Sequence, residues 1–297
     1  MKKMTKFFAL ALLAGAMVSC STEDTAPSVQ NDKVAVQFTG GISVNTRAAG
    51  LAWAEGDMIG IFMTGTKQPL SADAIQEGVD NICYQTSGSI GFSPVSGGKT
   101  IFFPIDGDVD FYSYYPQTTV NDYKVALDVT DQGKQEAIDF MYAKTEGCNK
   151  ATPQVFLKFY HKLSNLVLDV QPGNGLTQED LKKMTVTVKD QNTKATFNLV
   201  DGTISGEGNP TDIKMKTTQA GKLYEAILLP TEEASRVIEF DLNNGYDAPF
   251  VWTMPAKLEG GNRYHYTVVK LSRSAVEISG TIKPWTEAGD NNEHVAQ

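Results

Sequence analysis

Apolar and polar residues alternate along most of this chain, and alternation is the pattern of strands that bury one face. The longest such stretch is Val155–Val170, in which Val155, Leu157 and Phe159 share one parity. The alternation shifts to the other face near Ser164, which predicts a β-bulge inside one long strand.

Shorter runs of the same kind recur at near-regular spacing, separated by Gly, Pro and Asp residues. They predict strands at Met58–Phe62, Thr100–Pro104, Phe111–Tyr115, Phe140–Ala143, Thr185–Val188, Thr196–Val200, Leu223–Leu229, Arg236–Leu242, Phe250–Met254, Tyr264–Lys270 and Val276–Ile282. Many short strands with few helices indicate a mostly β fold built from antiparallel β-sandwiches. The polar interval Lys144–Pro153 is the best linker, so we expect two domains, at residues 48–150 and 151–297.

Helical signals are confined to two places. Gln178–Met184 is predicted to be a helix, because Thr177 can cap it and Leu176 can pack on Leu181. A single helical turn is predicted over Ser71–Glu77, which Gly78 ends. Hairpin turns are predicted at Asp201-Gly202, as type I′, and at Asn244-Gly245.

The N-terminal end has the pattern of a secretory signal. Lysines precede the apolar run Phe7–Val18, which is too short to span a bilayer permanently. The run Ala16–Cys20 resembles a bacterial lipobox, in which the cysteine is acylated and becomes the first mature residue. Glu23 and Asp24 then resemble the surface-export signal of Bacteroidota lipoproteins. We therefore expect a signal peptide over residues 1–19 and a lipid on Cys20.

A strand followed by a protease site comes next, and together they end a predicted propeptide of residues 20–47. The alternating apolar positions of the strand are Val34, Val36, Phe38, Ile42 and Val44. Arg47 follows among small residues and precedes Ala48, as expected of an exposed cleavage site.

Composition and net charge narrow the classes of molecule that this protein is expected to bind. At 297 residues and 41% hydrophobic content the chain can bury real cores, and its formal net charge is −9. Loss of the three signal lysines makes the mature chain more acidic still. Negative charge opposes binding to nucleic acid and to anionic lipid surfaces, so neither is an expected partner.

A phosphate-binding loop is suggested by Gly98-Lys99-Thr100, but Ser93 stands where the first glycine is required. A strand rather than a helix is predicted to follow, so the helix dipole would be missing. We therefore predict an ordinary turn.

The sequence matches the first three ligand positions of a calcium-binding loop, at Asp106, Asp108 and Asp110. Phe111 then replaces the sharp-turn glycine, and Gln117 replaces the bidentate glutamate. These aspartates are therefore predicted to be solvated turn residues.

Catalytic residues are also missing. His161, His265 and His294 lack a metal-binding spacing, and the first two lie in predicted strands, where hydrogen-bonded structural histidines are expected. Cys83 and Cys148 have no local catalytic signature, and the sequence leaves open whether they form a disulfide. No metal site and no cofactor is predicted, and we do not expect an enzyme.

Aromatic residues before Pro116 allow two interpretations. Phe111, Tyr112, Tyr114 and Tyr115 could stack on sugar rings if they were exposed. Phe111 and Tyr115 share one parity and therefore lie on the same face of the strand. The side chains of at least one face are expected to fill the core, and we favour core packing over sugar binding.

Taken in order, several motifs of this chain resemble those of the fimbrillin family of Bacteroidota lipoproteins, from the signal to the C-terminus. They are the lipobox ending at Cys20, Thr46-Arg47-Ala48, Trp53–Phe62, Asp110–Pro116, Asp139–Ala143, Phe159–Leu163, Ala226–Pro230, Gly261–Tyr266 and Ile282–Trp285. The resemblance implies two transthyretin-like β-sandwich domains in tandem. It also implies export as a lipoprotein to the outer membrane and cell surface, and cleavage after Arg47 by a trypsin-like, arginine-specific protease.

The same resemblance implies assembly into a fimbrium by strand exchange with other subunits. Loss of the first strand would open an apolar groove, and the neighbour's terminal strand would fill it by β-augmentation. The candidate donor is Ala275–Trp285, with Val276, Ile278, Ile282 and Trp285 as its apolar residues. That segment could instead be the last strand of its own domain.

Two functions of different classes are therefore consistent with the sequence. The first is a structural fimbrial subunit (stalk, tip or accessory) that serves adhesion. The alternative is a surface lipoprotein that binds glycans or host ligands and does not polymerise.

Overall fold

The strands form three sheets in the computed structural model, which describes residues 33–43, 53–273 and 276–284. In chain order they are β1 Gln37–Ile42, β2 Glu55–Gly65, β3 Ile82–Ser87, β4 Gly91–Pro94, β5 Val109–Tyr115, β6 Lys124–Asp128, β7 Met141–Cys148, β8 Gln154–His161, β9 Ser164–Pro172, β10 Thr185–Asn198, β11 Thr203–Lys214, β12 Lys216–Gln219, β13 Leu223–Leu228, β14 Arg236–Asp241, β15 Phe250–Met254, β16 Asn262–Leu271 and β17 Val276–Pro284. The predicted mostly β class is confirmed. Within the described ranges the helices are two short 3₁₀ turns, Ala72–Ala74 and Gln135–Ala137.

The first sheet closes on itself in the order β1-β4-β3-β2-β5-β7-β8. Its strand β5 is buried on both faces, because Val109, Phe111 and Tyr115 fill the interior of this barrel while Tyr112 and Tyr114 point into a second core. This arrangement explains why β5 reads as a continuous aromatic run rather than as an alternating strand.

The second core lies between the barrel and the two remaining sheets. One sheet has the order β11-β10-β14-β15 and the other β12-β13-β9-β16-β17. Strand β6 joins the first of these by pairing with β10, with Phe197 opposite Val125. Phe197 also contacts the aromatic rings of Phe140 and Tyr142, with ring centroids 4.7 and 5.2 Å apart.

Sheet pairing and packing therefore cross the predicted boundary at residues 150 and 151. Strand β8 lies after that boundary and still pairs with β7, through Met141 and His161. The described residues form one compact unit that begins at Lys33. The division into domains at 48–150 and 151–297, and the transthyretin-like description of each, remain predictions.

The bulge predicted near Ser164 is wrong. Val155, Leu157 and Phe159 are buried on one face of β8, as the alternation indicated. The chain then leaves the barrel at Lys162-Leu163 and enters a different sheet as β9, where Leu166 and Leu168 are buried. The shift of parity therefore marks a change of sheet and not an irregularity within one strand.

The helix predicted over Gln178–Met184 is also wrong, because this segment forms successive turns. Its local signals are present: the Thr177 hydroxyl donates to Asp180 at 2.7 Å, and Leu176 and Leu181 are buried. The chain enters β10 directly at Thr185, so these contacts stabilise a tight corner too short for a helix.

Both predicted hairpins exist, with longer loops than the sequence indicated. Asn198 and Thr203 pair across residues 199–202, where Gly202 has a φ of 74°. Asp201 is not in the left-handed region that a type I′ turn requires; its carboxylate accepts the Thr203 N–H at 3.0 Å instead. Phe240 and Phe250 pair across the second loop. No helix in the described ranges is long and apolar enough to cross a membrane.

The candidate strand-exchange groove

Strand β1 lies between two strands of the barrel and completes it. It runs antiparallel to β4, with Phe38 opposite Phe92, and parallel to β8, with Phe38 opposite Val155. Because both of its edges are paired, removal of β1 would leave two rows of backbone groups without partners. We call the space that β1 occupies between β4 and β8 the β1 groove.

Backbone hydrogen bonds hold β1 and its flanks along their whole described length. They are Phe103 N–H to Val34 O at 2.9 Å, Val36 N–H to Ile101 O at 3.0 Å, Gln37 N–H to Pro153 O at 2.8 Å, Gly40 N–H to Ile90 O at 2.7 Å and Ser43 N–H to Phe159 O at 2.6 Å. These bonds add to the ladder pairs, so a replacement strand would need an amide hydrogen at each donating position.

Apolar side chains of β1 point into the barrel. Phe38 is 2% exposed, and its ring packs edge-on against the rings of Tyr84 and Phe111. The ring centroids lie 5.4 and 5.1 Å apart, respectively. Val36 is buried, and Val34 and Ile42 are partly buried against the same core. Each described residue of the predicted apolar set thus faces the barrel interior. These residues are Val34, Val36, Phe38 and Ile42.

Two glycines bring β1 close to aromatic rings. A Cβ on Gly40 would lie 2.8 Å from Cε2 of Phe92 and 3.2 Å from Cε2 of Phe159, inside the barrel. A Cβ on Gly41 would lie 2.8 Å from Cζ of Phe156, which is exposed on the outer face. The groove therefore admits only a very small residue at the Gly40 position.

Trp53 closes the end of the groove nearest the predicted cleavage segment. Its indole N–H donates to the Gly40 carbonyl at 2.8 Å, and its ring packs edge-on against Phe92, Phe159 and Tyr115. A turn supports it, in which the Asp57 carboxylate accepts the Ala54 N–H at 2.8 Å and the Tyr115 hydroxyl at 3.0 Å. Burial and then the Asp57 charge raise the pKa of Tyr115 well above its usual value.

The candidate donor segment lies at the edge of its own sheet. Strand β17 pairs antiparallel with β16, from Val276 opposite Leu271 to Pro284 opposite Asn262, and no other described strand pairs with it. Val276 is partly buried against the second core. The possibility that this segment is the last strand of its own sheet is thus realised, with one edge open.

Several predicted site residues lie outside the described residues. They are Cys20, Val44, Arg47, Ala48 and Trp285. Ile278 and Ile282 are described only by the backbone pairing of β17. The lipidation, cleavage and exchange assignments therefore remain predictions.

The aspartates of the imitated calcium loop have structural roles. Asp110 is buried, against our expectation, and accepts hydrogen bonds from Thr66 Oγ1, Lys67 N–H and Gly147 N–H at 3.0, 2.8 and 2.9 Å. Asp106 and Asp108 are exposed, as predicted. Three donors fix the Asp110 carboxylate between the turn at Thr66-Lys67 and the end of β7, so the prediction that it is a solvated turn residue is wrong.

The remaining candidates for chemistry have structural explanations. The predicted turn at Gly98 is confirmed, and Lys99 Nζ donates to the carbonyls of Glu77 and Gly78 at 2.6 and 3.0 Å. His161 is buried and its Nδ1 lies 2.8 Å from the Asp139 carboxylate, which confirms a hydrogen-bonded structural histidine. Among the described residues, no group of three or more His, Cys, Asp and Glu is arranged to hold a metal.

The cysteine and aromatic alternatives are both resolved by the structure. Cys83 and Cys148 are free thiols, so they do not pair. All residues of β5 are buried, so its aromatic run fills the two cores and offers no surface for stacking on sugars. Core packing, the interpretation that we favoured, is confirmed.

Trp53 and the glycine pair make contacts at the groove that pattern reasoning does not predict. Both glycines interrupt an apolar alternation and resemble mere spacers, although close approach of backbone is a common reason for glycine in a strand. The segment Trp53–Asp57, which leads into the start of β2, is the available sequence signal for a structured turn.

Comparisons with known proteins give a consistent result. The sequence profile described as fimbrillin-like matches residues 46–285. A protein of Bacteroides uniformis named as a fimbrium subunit, Fim1C, is 33% identical over 301 residues, which cover 95% of this chain and 96% of that relative.

Solved structures of similar proteins have the same fold. One, named as a cell adhesion protein from Bacteroides uniformis, has a TM-score of 0.73 and 32% identity, and the match covers 86% of this chain and 99% of the other. Another of the same description, from Bacteroides ovatus, has a TM-score of 0.69 at 24% identity, with coverage of 86% and 99%. The second supports the fold alone.

Proposed function

The chain belongs to the fimbrillin-like family, and from that premise we propose that it is a structural subunit of a cell-surface fimbrium assembled by protease-triggered strand exchange. Cleavage after Arg47 separates β1 from the rest of the subunit and allows it to leave. The C-terminal strand of a neighbouring copy then fills the β1 groove, and repetition of this step builds a fibre that serves adhesion.

The observation that carries this proposal is the position of β1. It is the first described strand, it is paired on both edges, and it fills the barrel core with Phe38, while Val36 just before it is buried in the same core. Burial of each large apolar side chain contributes roughly 1.5–3 kcal/mol, so an empty groove would be strongly unfavourable. Such a groove favours capture of another strand over exposure to water.

Position in the chain links this groove to the proposed cleavage. A short interval separates Ser43, the last described residue after β1, from Trp53, which packs against the end of the groove. Arg47 lies within that interval. A cut there leaves Trp53 with the subunit and β1 with the propeptide.

Lipidation of Cys20 would hold the uncleaved precursor at the outer membrane until the protease acts. The propeptide from Cys20 to Arg47 would then carry both the lipid and β1. A Cys20→Ala variant should lose labelled fatty acid and outer-membrane location, and equal labelling of variant and wild type would contradict the anchor.

Limited proteolysis tests the exchange. Purified precursor should be monomeric, and brief trypsin treatment should convert it to oligomers that survive mild detergent. Arg47→Ala should block this conversion while the precursor stays folded, because β1 remains covalently attached. Lys33→Ala is the matched control: it removes a neighbouring trypsin site before β1 and should polymerise as the wild type does.

Polymerisation of Arg47→Ala at the wild-type rate would overturn cleavage-triggered exchange. A stable cleaved monomer that binds glycans would instead support the non-polymerising alternative. The burial of the whole β5 aromatic run removes the sequence feature that first suggested glycan binding.

A further inference from the structure

We propose that Gly280 of a neighbouring subunit occupies the position of Gly40 when the C-terminal strand fills the β1 groove, and that this glycine sets the register of the exchange while Pro284 sets its direction. The inference rests on the proposed function. To the proposed function it adds the residue-by-residue alignment of the two strands. It also adds a limit on side-chain size that the groove imposes on any incoming strand.

The first argument is the spacing of residue types in the two strands. In β1 and its flank a valine, a phenylalanine, a glycine and an isoleucine follow one another at every second position, and in β17 a valine, an isoleucine, a glycine and an isoleucine do the same. The corresponding residues are Val36 and Val276, Phe38 and Ile278, Gly40 and Gly280, and Ile42 and Ile282. Four inward positions of the groove are thus matched in size and polarity by one segment of the same chain.

The second argument is the close contact at Gly40. Phe92 and Phe159, whose rings lie 2.8 and 3.2 Å from the position of an added Cβ, are 7% and 0% exposed, so neither can swing into solvent. A two-residue slip of the incoming strand would place an isoleucine against these rings. Overpacking of that kind forces side chains out of their preferred rotamers and destabilises the core.

Strand direction follows from Pro284. If the donor runs in the direction of β1, Lys283 takes the place of Ser43, whose N–H donates to Phe159 O, and Pro284 lies beyond the last described bond. If it runs in reverse with Gly280 still at Gly40, Pro284 takes the place of Val36. A proline at that place lies in the hydrogen-bonded flank of β1, where it removes one amide hydrogen from the backbone ladder.

The outer face accommodates this register with one movement. Thr281 takes the place of Gly41, where an added Cβ would lie 2.8 Å from Cζ of Phe156. Phe156 is 53% exposed, so its ring can rotate into solvent. The outer contact is therefore adjustable, whereas the inner contact at Gly40 is fixed.

In its own sheet the donor glycine is also confined. A Cβ on Gly280 would lie 2.3 Å from Cδ1 of Tyr266 and 2.8 Å from its Cα. The same glycine thus fits β17 into its original sheet and into the β1 groove. This double constraint is why substitution of Gly280 alone cannot test the register, since it would also disturb the donor's home sheet.

One other segment, Phe103–Val109, has the same spacing around Gly107. It would place Pro104 at the position of Gln37, whose N–H donates to Pro153 O, and its Val109 already belongs to a central strand of the barrel. It is therefore a poor donor, and β17, at a sheet edge near the C-terminus, is the occupant that we assign.

Cysteine cross-linking tests the register without touching Gly280. In the precursor Thr39 lies opposite Phe156 of β8, so the proposed register places Ser279 of the donor opposite Phe156. Full-length chains carry Phe156→Cys with Ser279→Cys, Glu277→Cys or Thr281→Cys, in a Cys83→Ser, Cys148→Ser background. Trypsin cleavage starts assembly, and the Cys20 segment leaves with β1. Thr39→Cys with Phe156→Cys in uncleaved precursor is the positive control for the pair geometry.

A slip of two residues moves the paired Cα atoms about 8 Å apart, which a disulfide does not bridge. We therefore expect the Ser279→Cys chains to form intermolecular disulfides at least about fivefold faster than either neighbour. Strongest cross-linking at Glu277→Cys or Thr281→Cys, or equal yields at all three, would overturn the register while leaving strand exchange intact. Cleaved chains that stay monomeric in every variant would overturn the proposed function itself.

Discussion

The indole nitrogen of Trp53 lies 2.8 Å from the carbonyl oxygen of Gly40, and this bond joins the residue just after the proposed cleavage segment to the strand that cleavage would release. The Trp53 ring also packs against Phe92 and Phe159, the two rings that leave no room beside Gly40. Trp53 therefore holds β1 in the uncleaved precursor, and it remains in the subunit to contact whichever strand comes next.

Trp53→Phe should weaken this hold. The substitution leaves the buried Gly40 carbonyl without its donor and removes part of a packed ring, which together cost about 2–3 kcal/mol. We expect a lower free energy of unfolding for the precursor and faster release of β1 after trypsin cleavage, measured by denaturant titration and by the rate of oligomer formation. Trp252→Phe, at a half-buried tryptophan in β15, is the control and should leave the release rate unchanged.

Phe38 is expected to be the main anchor of β1. Phe38→Ala should destabilise the precursor by about 3–5 kcal/mol, because the ring fills the barrel beside Tyr84 and Phe111. Phe156→Ala removes an aromatic side chain of the same size from the outer face and should cost less than about 0.5 kcal/mol. Equal losses in the two variants, measured by denaturant titration, would show that β1 contributes little to the barrel.

The inward faces of several strands can be predicted from the sequence because they depend on short-range alternation, whereas the strand predicted at Thr100–Pro104 is reduced to an isolated bridge at Phe102. Val155, Leu157 and Phe159 were placed correctly on the buried face of β8, and Phe38 on that of β1. The sheet to which each strand belongs could not be predicted in this way. The parity shift near Ser164 looked like a bulge, since one strand that bends and two strands in different sheets give the same local pattern.

Long-range polar contacts were equally invisible in the sequence. Asp110 has the sequence pattern of a solvated turn residue, and its three donors come from a turn and a strand far along the chain. Thr177 contacts Asp180 where the sequence predicts a helix cap, but the helix does not form, because a strand begins at Thr185. Local signals fix caps and turns, whereas tertiary pairing decides whether a helix or a strand continues the chain after them.

Gln132 joins the two halves of the chain in a way that can be tested. Its side-chain amide donates to Ile227 O at 2.9 Å and to Val129 O at 2.7 Å, and it accepts the Ile227 N–H at 2.8 Å. The buried amide thus makes the hydrogen bonds to the Ile227 backbone that a neighbouring strand would otherwise make. Gln132→Ala leaves several buried backbone groups unpaired and should cost about 2–4 kcal/mol.

Gln132→Glu should be comparably destabilising, because a carboxylate accepts hydrogen bonds but cannot donate to the two carbonyls. Gln154→Ala, at an exposed position of β8, is the control and should change little. Thermal unfolding should show a single lower transition in the Gln132 variants if the halves unfold together. A new early transition, confined to one half, would show that the halves are independent domains.

Cys148 should react slowly with alkylating reagents in the folded protein. Burial, followed by the charges of Asp110 and Asp108, raises the pKa of this thiol from 9.0 to about 11. The neutral form is favoured by folding, so the stability contributed is fully present below pH 9 and is lost as pH rises through about 11. At pH 8 the thiolate fraction should be roughly 100-fold lower than in the unfolded chain.

The measurement is the rate of iodoacetamide labelling against pH in an uncleaved Cys20→Ser, Cys83→Ser chain, so that Cys148 is the remaining thiol. Reactivity should rise to half its maximum near pH 11 in the folded protein and near pH 9 in denaturant. Asp108→Asn removes one exposed negative charge and should move the folded midpoint to lower pH without unfolding the chain, because Asp110 keeps its three donors. A reactivity midpoint near pH 9 in the folded protein would mean that solvent reaches the thiol. The turn at Thr66-Lys67 and the end of β7, which Asp110 joins, would then separate in solution.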